Sequence, residues 1–187
     1  MNSQFEDADA VLDHLTELFV SRDGKLEVDG RLSNAAHMLQ TAAAAEHAGA
    51  EACLVAASLL HDVGHWLCGE TVGTRPVDQR HESVGAAWLS AFFDADVTQP
   101  IALHVAAKRY LCAREPDYFA NLSPGSVASL ALQGGPMSEI EADAFEADPA
   151  HGHAVALRRW DEYGKNSGLQ VPGFDHYRPL LRDLVRA

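Results

Sequence analysis

The stretch Leu59-Leu60-His61-Asp62-Val63-Gly64-His65-Trp66 decides the reading of this chain. An imidazole and a carboxylate side by side at the end of an apolar helix lose their hydration on burial, which is strongly unfavourable unless something compensates them. A bound cation compensates both. His37 upstream, with His81, His104 and Asp161 downstream, supplies nitrogen and oxygen donors enough for two metal ions. The stretch therefore points to metal-centred chemistry.

The surrounding sequence is helical in its spacing. Residues 6–21 set Val11, Leu12, Leu15, Leu18 and Phe19 on one face of a helix that stops near Asp23-Gly24. A polar loop runs through Gly30. A second helix, from about Leu32 to His47, carries His37 among Ala35, Ala36 and Leu39 and closes at Gly49. Residues 51–67 are apolar almost all round and read as one buried helix, with His61-Asp62 at its C-terminal end. After a glycine-rich loop at 69–77, a helix is expected from about Asp78 to Phe93, with His81 in its first turn. The next has Thr98 as its cap and Pro100 in its first turn, and sets His104 and Lys108 four apart on one face. A short helix from Pro124 ends at Gly134-Gly135, and Ser138 and Glu141 have capping-box spacing for the following one. Near Pro149 another begins, with Arg158 and Asp161 three apart, and Asp175 opens a last amphipathic helix through Leu184. Without strand alternation, repeats or linkers, the expectation is a single all-α domain over residues 1–187.

Composition narrows the function. Fourteen basic against 27 acidic residues give a net charge of −13, which disfavours non-specific nucleic-acid binding, since that affinity comes from Lys and Arg neutralising phosphates. A small anion is still compatible, because a few local cations dominate a pocket. The three cysteines, Cys53, Cys68 and Cys112, form no CxxC pair and read as buried free thiols in a reducing cytoplasm. The stretch MNSQFEDADA lacks a basic and then apolar signal region, and no apolar run approaches the ~20 residues of a membrane span. No nucleic-acid or membrane partner is expected, and nothing in the sequence specifies an oligomeric state.

The order His37, His61-Asp62, His81, His104, Asp161, spread over several helices, resembles the HD-domain superfamily of helical metalloproteins. That resemblance implies an HD-domain helical bundle, with a metal-site core over about 31–178. One metal takes His37, His61, Asp62 and Asp161; the second takes Asp62 as a bridge with His81 and His104. His14, His47, His151, His153 and His176 have no place in the pattern and read as surface or capping residues. Further segments resemble a narrower branch, the HD-domain diiron oxygenases that cleave carbon–phosphorus bonds. They are His104-Val105-Ala106-Ala107-Lys108-Arg109-Tyr110, the run Tyr118 to Met137 (YFANLSPGSVASLALQGGPM), Trp160-Asp161-Glu162 and Val171-Pro172-Gly173. By resemblance, the chain uses a mixed-valent Fe(II)/Fe(III) pair with O2 as co-substrate. The hydroxyl and one phosphonate oxygen of a small organophosphonate chelate the iron held by His37, His61 and Asp161.

Helical spacing supplies cations and donors for such an anion. His65 lies one turn from His61, Lys108 one turn from His104, and Arg158 one turn before Asp161. Ser126 and Ser129 add hydroxyls, and Gln133 an amide. The expected roles are Asp62, His65 and Lys108 in catalysis, with His65, Lys108, Ser126, Ser129, Gln133 and Arg158 around the substrate. Where the glycine-forming member of the branch has a tyrosine and a glutamate, this chain has Glu27 and Gly30, ten and seven positions before His37. Gly30 removes the primary-amine contact and makes room for a bulkier head group, while Glu27 or Asp29 offers negative charge to a quaternary ammonium. The expected substrate is 1-hydroxy-2-(trimethylammonio)ethylphosphonate, giving glycine betaine and phosphate. The alternatives are the unmethylated 2-amino-1-hydroxyethylphosphonate, giving glycine, and a metal-dependent phosphohydrolase, which needs the same ligands. A non-catalytic binding module gives no reason for six ordered ligands.

Overall fold

A computed structural model of the chain describes residues 7–22, 27–28, 32–68 and 80–186. Helix α1 (Ala8–Arg22) is followed by two short strands, β1 (Glu27–Val28) and β2 (Leu32–Ser33). They pair antiparallel, with Glu27 opposite Ser33 and Val28 opposite Leu32. The remaining elements are helical: α2 (Asn34–His47), α3 (Ala52–Leu60), α4 (Val63–Leu67), α5 (His81–Leu89), α6 (Ala95–Arg114), α7 (Pro116–Ala120), α8 (Pro124–Leu132), α9 (Glu139–Glu146), α10 (His151–Tyr163) and α11 (Phe174–Leu184). The expectation of an all-α architecture holds, except that β1 lies in the predicted polar loop and β2 takes the first two residues of the helix predicted from Leu32, so that α2 begins at Asn34.

Helix α3 is the centre of the core. Its residues from Leu54 to Leu60 are all buried, and each fully buried leucine contributes roughly 2 kcal/mol. Val11, Leu12, Leu15 and Phe19 of α1 and Phe174, Tyr177 and Leu181 of α11 belong to the same apolar cluster. Local chemistry sets several helix starts. Ser33 Oγ accepts from Ala36 N at 3.1 Å at the head of α2, and Ser138 with Glu141 forms the expected capping box at α9.

Three predictions need correction. The expected helix over 51–67 is two helices, because α3 stops at Leu60 and α4 begins at Val63, with Asp62 between them at φ −106°, ψ 9°. The cause is a contact remote in sequence: a Cβ on Gly64 would lie 1.9 Å from the His81 carbonyl oxygen. Only glycine lets α4 cross α5 this closely, and the break re-aims Asp62. The helix expected from Thr98 begins at Ala95 after an Asp94 cap, so Pro100 lies inside it. Thr98 Oγ1 instead donates to the Asp94 carbonyl at 3.3 Å, and Asp96 supplies the favourable acid in the first turn. The helix expected over Asp78–Phe93 is confined to α5, residues 78–79 lying outside the described residues; Phe93 instead bridges to Val185. Beyond these, Pro116 starts α7, a helix that apolar spacing does not predict. Among the described residues, no helix is long and apolar enough to cross a membrane.

Candidate metal centre

Asp62 stands at the junction of five helices, and its two oxygens face different partners. Oδ2 lies 3.5 Å from His61 Nε2 and 3.7 Å from His37 Nε2. Oδ1 lies 3.3 Å from His81 Nε2 and 3.6 Å from His104 Nε2. Asp161, from α10, closes the first group, with Oδ1 3.2 Å from His37 Nε2. All six expected ligands therefore meet. His65 stands beside the second group, its Nε2 4.0 Å from Asp62 Oδ1 and its side chain 39% exposed. Its ring stacks on His81, with centroids 3.9 Å apart and planes 13° from parallel.

Backbone carbonyls orient three of these imidazoles. The Nδ1 of His37 pairs with Gly164 O at 2.7 Å, that of His61 with Ser58 O at 2.9 Å, and that of His104 with Ile101 O at 2.8 Å. An imidazole that donates from Nδ1 presents a lone pair at Nε2, which is how a metal-binding histidine is held. Arg80, just before His81, sits in the left-handed region at φ 49° and turns the chain into α5. Burial tends to keep Asp62 protonated, yet His61, His81 and His65 hold its carboxyl well below the usual range. The burial of Asp161 is overcome in the same way by Arg158, Lys165 and His37. Burial pushes His104 well below its ordinary value, with His81 adding to the effect, and lowers His61.

Two carboxylates held anionic among four imidazoles form a hard-to-borderline donor set that fits Fe, Mn or Co. The Nε2 of His61 is buried with no hydrogen-bond partner. A cation satisfies that orphaned lone pair. His37, His61 and Asp62, and separately Asp62, His65 and His81, are close enough to hold an ion.

A cationic shelf adjoins the acids. Lys108 is buried one turn beyond His104, and its Nζ donates to Ser129 Oγ at 2.7 Å. Ser129 Oγ donates to Ser126 O at 3.1 Å. Arg158 pairs with Asp161 and Glu162, donates to Tyr118 Oη at 2.9 Å and reaches Ser126 Oγ at 3.2 Å. Burial and the neighbouring Arg158 push the Lys108 ammonium down to about 8. Gln133 caps the far end of α8 with its Oε1 buried and unpartnered. The side chain of Glu27, and Asp29 and Gly30 entirely, lie outside the described residues.

Sequence reasoning misses Lys165, whose Nζ donates to Ser126 Oγ at 2.7 Å and lies 3.0 Å from Glu162 and 3.6 Å from Asp161. It follows Asp161 by one turn, the spacing that singles out Lys108, but Gly164 ends the helix first. Glu162 is also missed; it accepts from Ser123 N at 2.8 Å and from Ser126 Oγ at 3.0 Å, tying α10 to the start of α8. Of the other histidines, His14 packs against Trp88, His151 Nδ1 pairs with Asp148 O and His176 pairs with Glu46. Cys53, Cys68 and Cys112 form no disulfide and are partly exposed, where buried thiols are expected.

No protein-family model matches the chain. It is 37% identical to the [1-hydroxy-2-(trimethylamino)ethyl]phosphonate dioxygenase (glycine-betaine-forming) of Leisingera caerulea, over 94% of this chain and 90% of that protein. An uncharacterized protein of Acanthamoeba polyphaga mimivirus is 34% identical over 78% of this chain and 68% of its own. A hydroxymethylphosphonate dioxygenase of Gimesia maris is 42% identical over 88% of this chain and 85% of that protein. With likeness of this degree running through nearly the whole of both dioxygenases, the chain belongs to the phosphonate dioxygenase family.

Proposed function

We propose that this chain breaks the carbon–phosphorus bond of 1-hydroxy-2-(trimethylammonio)ethylphosphonate with O2, yielding glycine betaine and phosphate, at a mixed-valent pair of iron ions. One iron is held by His37, His61, Asp62 and Asp161, the other by Asp62, His81 and His104. The observation that carries this reading is the division of Asp62, with Oδ2 toward His37 and His61 and Oδ1 toward His81 and His104. Dioxygenase relatives imply use of O2 and a metal, and the histidine–carboxylate groups suit that metal.

The irons, when bound, supply the redox chemistry that takes hydrogen from the hydroxyl-bearing carbon and reduces O2. The protein's own residues bind and orient. Lys108 and Arg158 balance the phosphonate charge, with Ser126, Ser129, Gln133 and His65 as donors around it. Lys165 joins them through Ser126. Burial strengthens each of these contacts, because charge-assisted hydrogen bonds are stronger out of water. Atoms balance without a further reductant: the hydroxyphosphonate and one O2 together contain the carboxylate and the phosphate.

The absence of a glutamate at Gly30 supports the quaternary ammonium over a primary amine, with Glu27 or Asp29 as its counter-charge. A second substrate, hydroxymethylphosphonate, is favoured by the 42% identity to a dioxygenase of that name. The phosphohydrolase alternative has no support among these relatives. Cys53, Cys68 and Cys112, which form no disulfide, support a reducing, cytoplasmic setting, and the helices are read as one domain. Parallel turnover of the quaternary, primary-amine and unsubstituted hydroxyphosphonates tests the choice. The quaternary substrate is expected to give the highest kcat/KM; preference for either of the others overturns that assignment.

A further inference from the structure

Four ligand imidazoles surround Asp62, and three of them rest their second nitrogen on a neutral backbone carbonyl. His81 differs. Its Nδ1 lies 3.6 Å from Oε2 of Glu82, a carboxylate only 9% exposed. The other oxygen, Oε1, accepts from Ser83 Oγ at 3.3 Å, whereas Oε2 is buried with no hydrogen-bond partner. A buried carboxylate oxygen without a donor is unfavourable, and the Nδ1–H of His81 is placed to serve it after a shift of about half an ångström.

A carboxylate behind a metal-bound histidine fixes its tautomer and raises its basicity. We propose that Glu82 is a positioning residue of this kind, acting through His81. Resting on the two-metal reading above, it makes His81 the strongest imidazole donor and sets apart the ion shared with His104. The three carbonyl-backed imidazoles lack that negative charge. The histidines at the two ends of the centre therefore differ in what stands behind them.

The test is anaerobic titration of the metal-free protein with Fe(II), in competition with a chelating dye, for the wild type and Glu82→Gln. The wild type is expected to take two ions. Glu82→Gln, equal in size but uncharged, should bind the first with unchanged affinity and the second about 10- to 100-fold more weakly, with the melting temperature of the metal-free protein unmoved. Glu82→Asp should recover part of the loss. Two ions bound by Glu82→Gln with wild-type affinity overturn the proposal. So does loss of both ions with a lowered melting temperature, which marks a merely structural residue. A wild type that binds one ion refutes the two-metal reading separately; Glu82 is then judged on that ion, and equal affinity in both proteins overturns its role.

Discussion

The Nε2 atoms of His81 and His104 lie 3.1 Å apart, although the two residues belong to different helices. His104 donates from Nδ1 to Ile101 O, so its Nε2 carries a lone pair toward His81. Two nitrogens each ~2.1 Å from one ion, at a right angle, are ~3 Å apart. The gap is therefore what a shared cation requires. On the other side of Asp62, His37 and Asp161 approach to 3.2 Å in the same manner.

Because each Asp62 oxygen serves one group, Asp62→Ala should release both ions, whereas His104→Ala should weaken chiefly one. Metal per chain after dialysis, measured by plasma emission, checks this. Retention of one full equivalent by Asp62→Ala would contradict the bridging role.

Lys108 contributes charge to the shelf and no ligand to the metals. Lys108→Ala should keep the wild-type metal content and raise KM by about 10- to 100-fold, as expected for the loss of a charge-assisted hydrogen bond. Steady-state kinetics alongside metal analysis decides the matter, and a metal-free Lys108→Ala protein would refute this division of labour.

The depressed ammonium of Lys108, at about 8, gives a pH dependence. The side chain is charged below that value and neutral above it, so anion binding is strong on the acid side and fades as pH rises. KM should climb through pH 8 toward tenfold per unit. Lys108→Arg keeps its charge throughout and should flatten that limb; an unchanged limb in this variant assigns it to another group.

Gly64→Ala tests how the fold positions the site. The added methyl meets backbone, the His81 carbonyl, which no rotamer change relieves. The expected loss of stability is about 3 kcal/mol, seen in thermal or urea unfolding, together with weaker binding of the ion near His81. A substitution that leaves both unchanged would refute the α4–α5 contact as the cause of the break at Asp62.

The cluster around Asp62 is legible because a tandem His-Asp flanked by Leu60 and Val63 has few stable fates other than cation binding, and His81, His104 and Asp161 follow in order on strongly helical segments. The break at Asp62 is not, since apolar periodicity runs on from Leu60 to Val63 and Trp66 and the cause is a contact with His81, seventeen residues beyond Gly64. Lys165 escaped for a related reason: its place beside Ser126 is set by tertiary packing beyond the end of a helix, where a turn-counting rule no longer applies. Lys108 and Arg158 lie inside helices, where the rule applies.

Redox cleavage at paired metals requires O2. Iron-loaded protein mixed anaerobically with the quaternary hydroxyphosphonate and then given O2 should consume one O2 for each phosphate released, and release none before O2 is admitted. Phosphate released without O2, or from phosphate esters with Mn or Mg in place of iron, would contradict it.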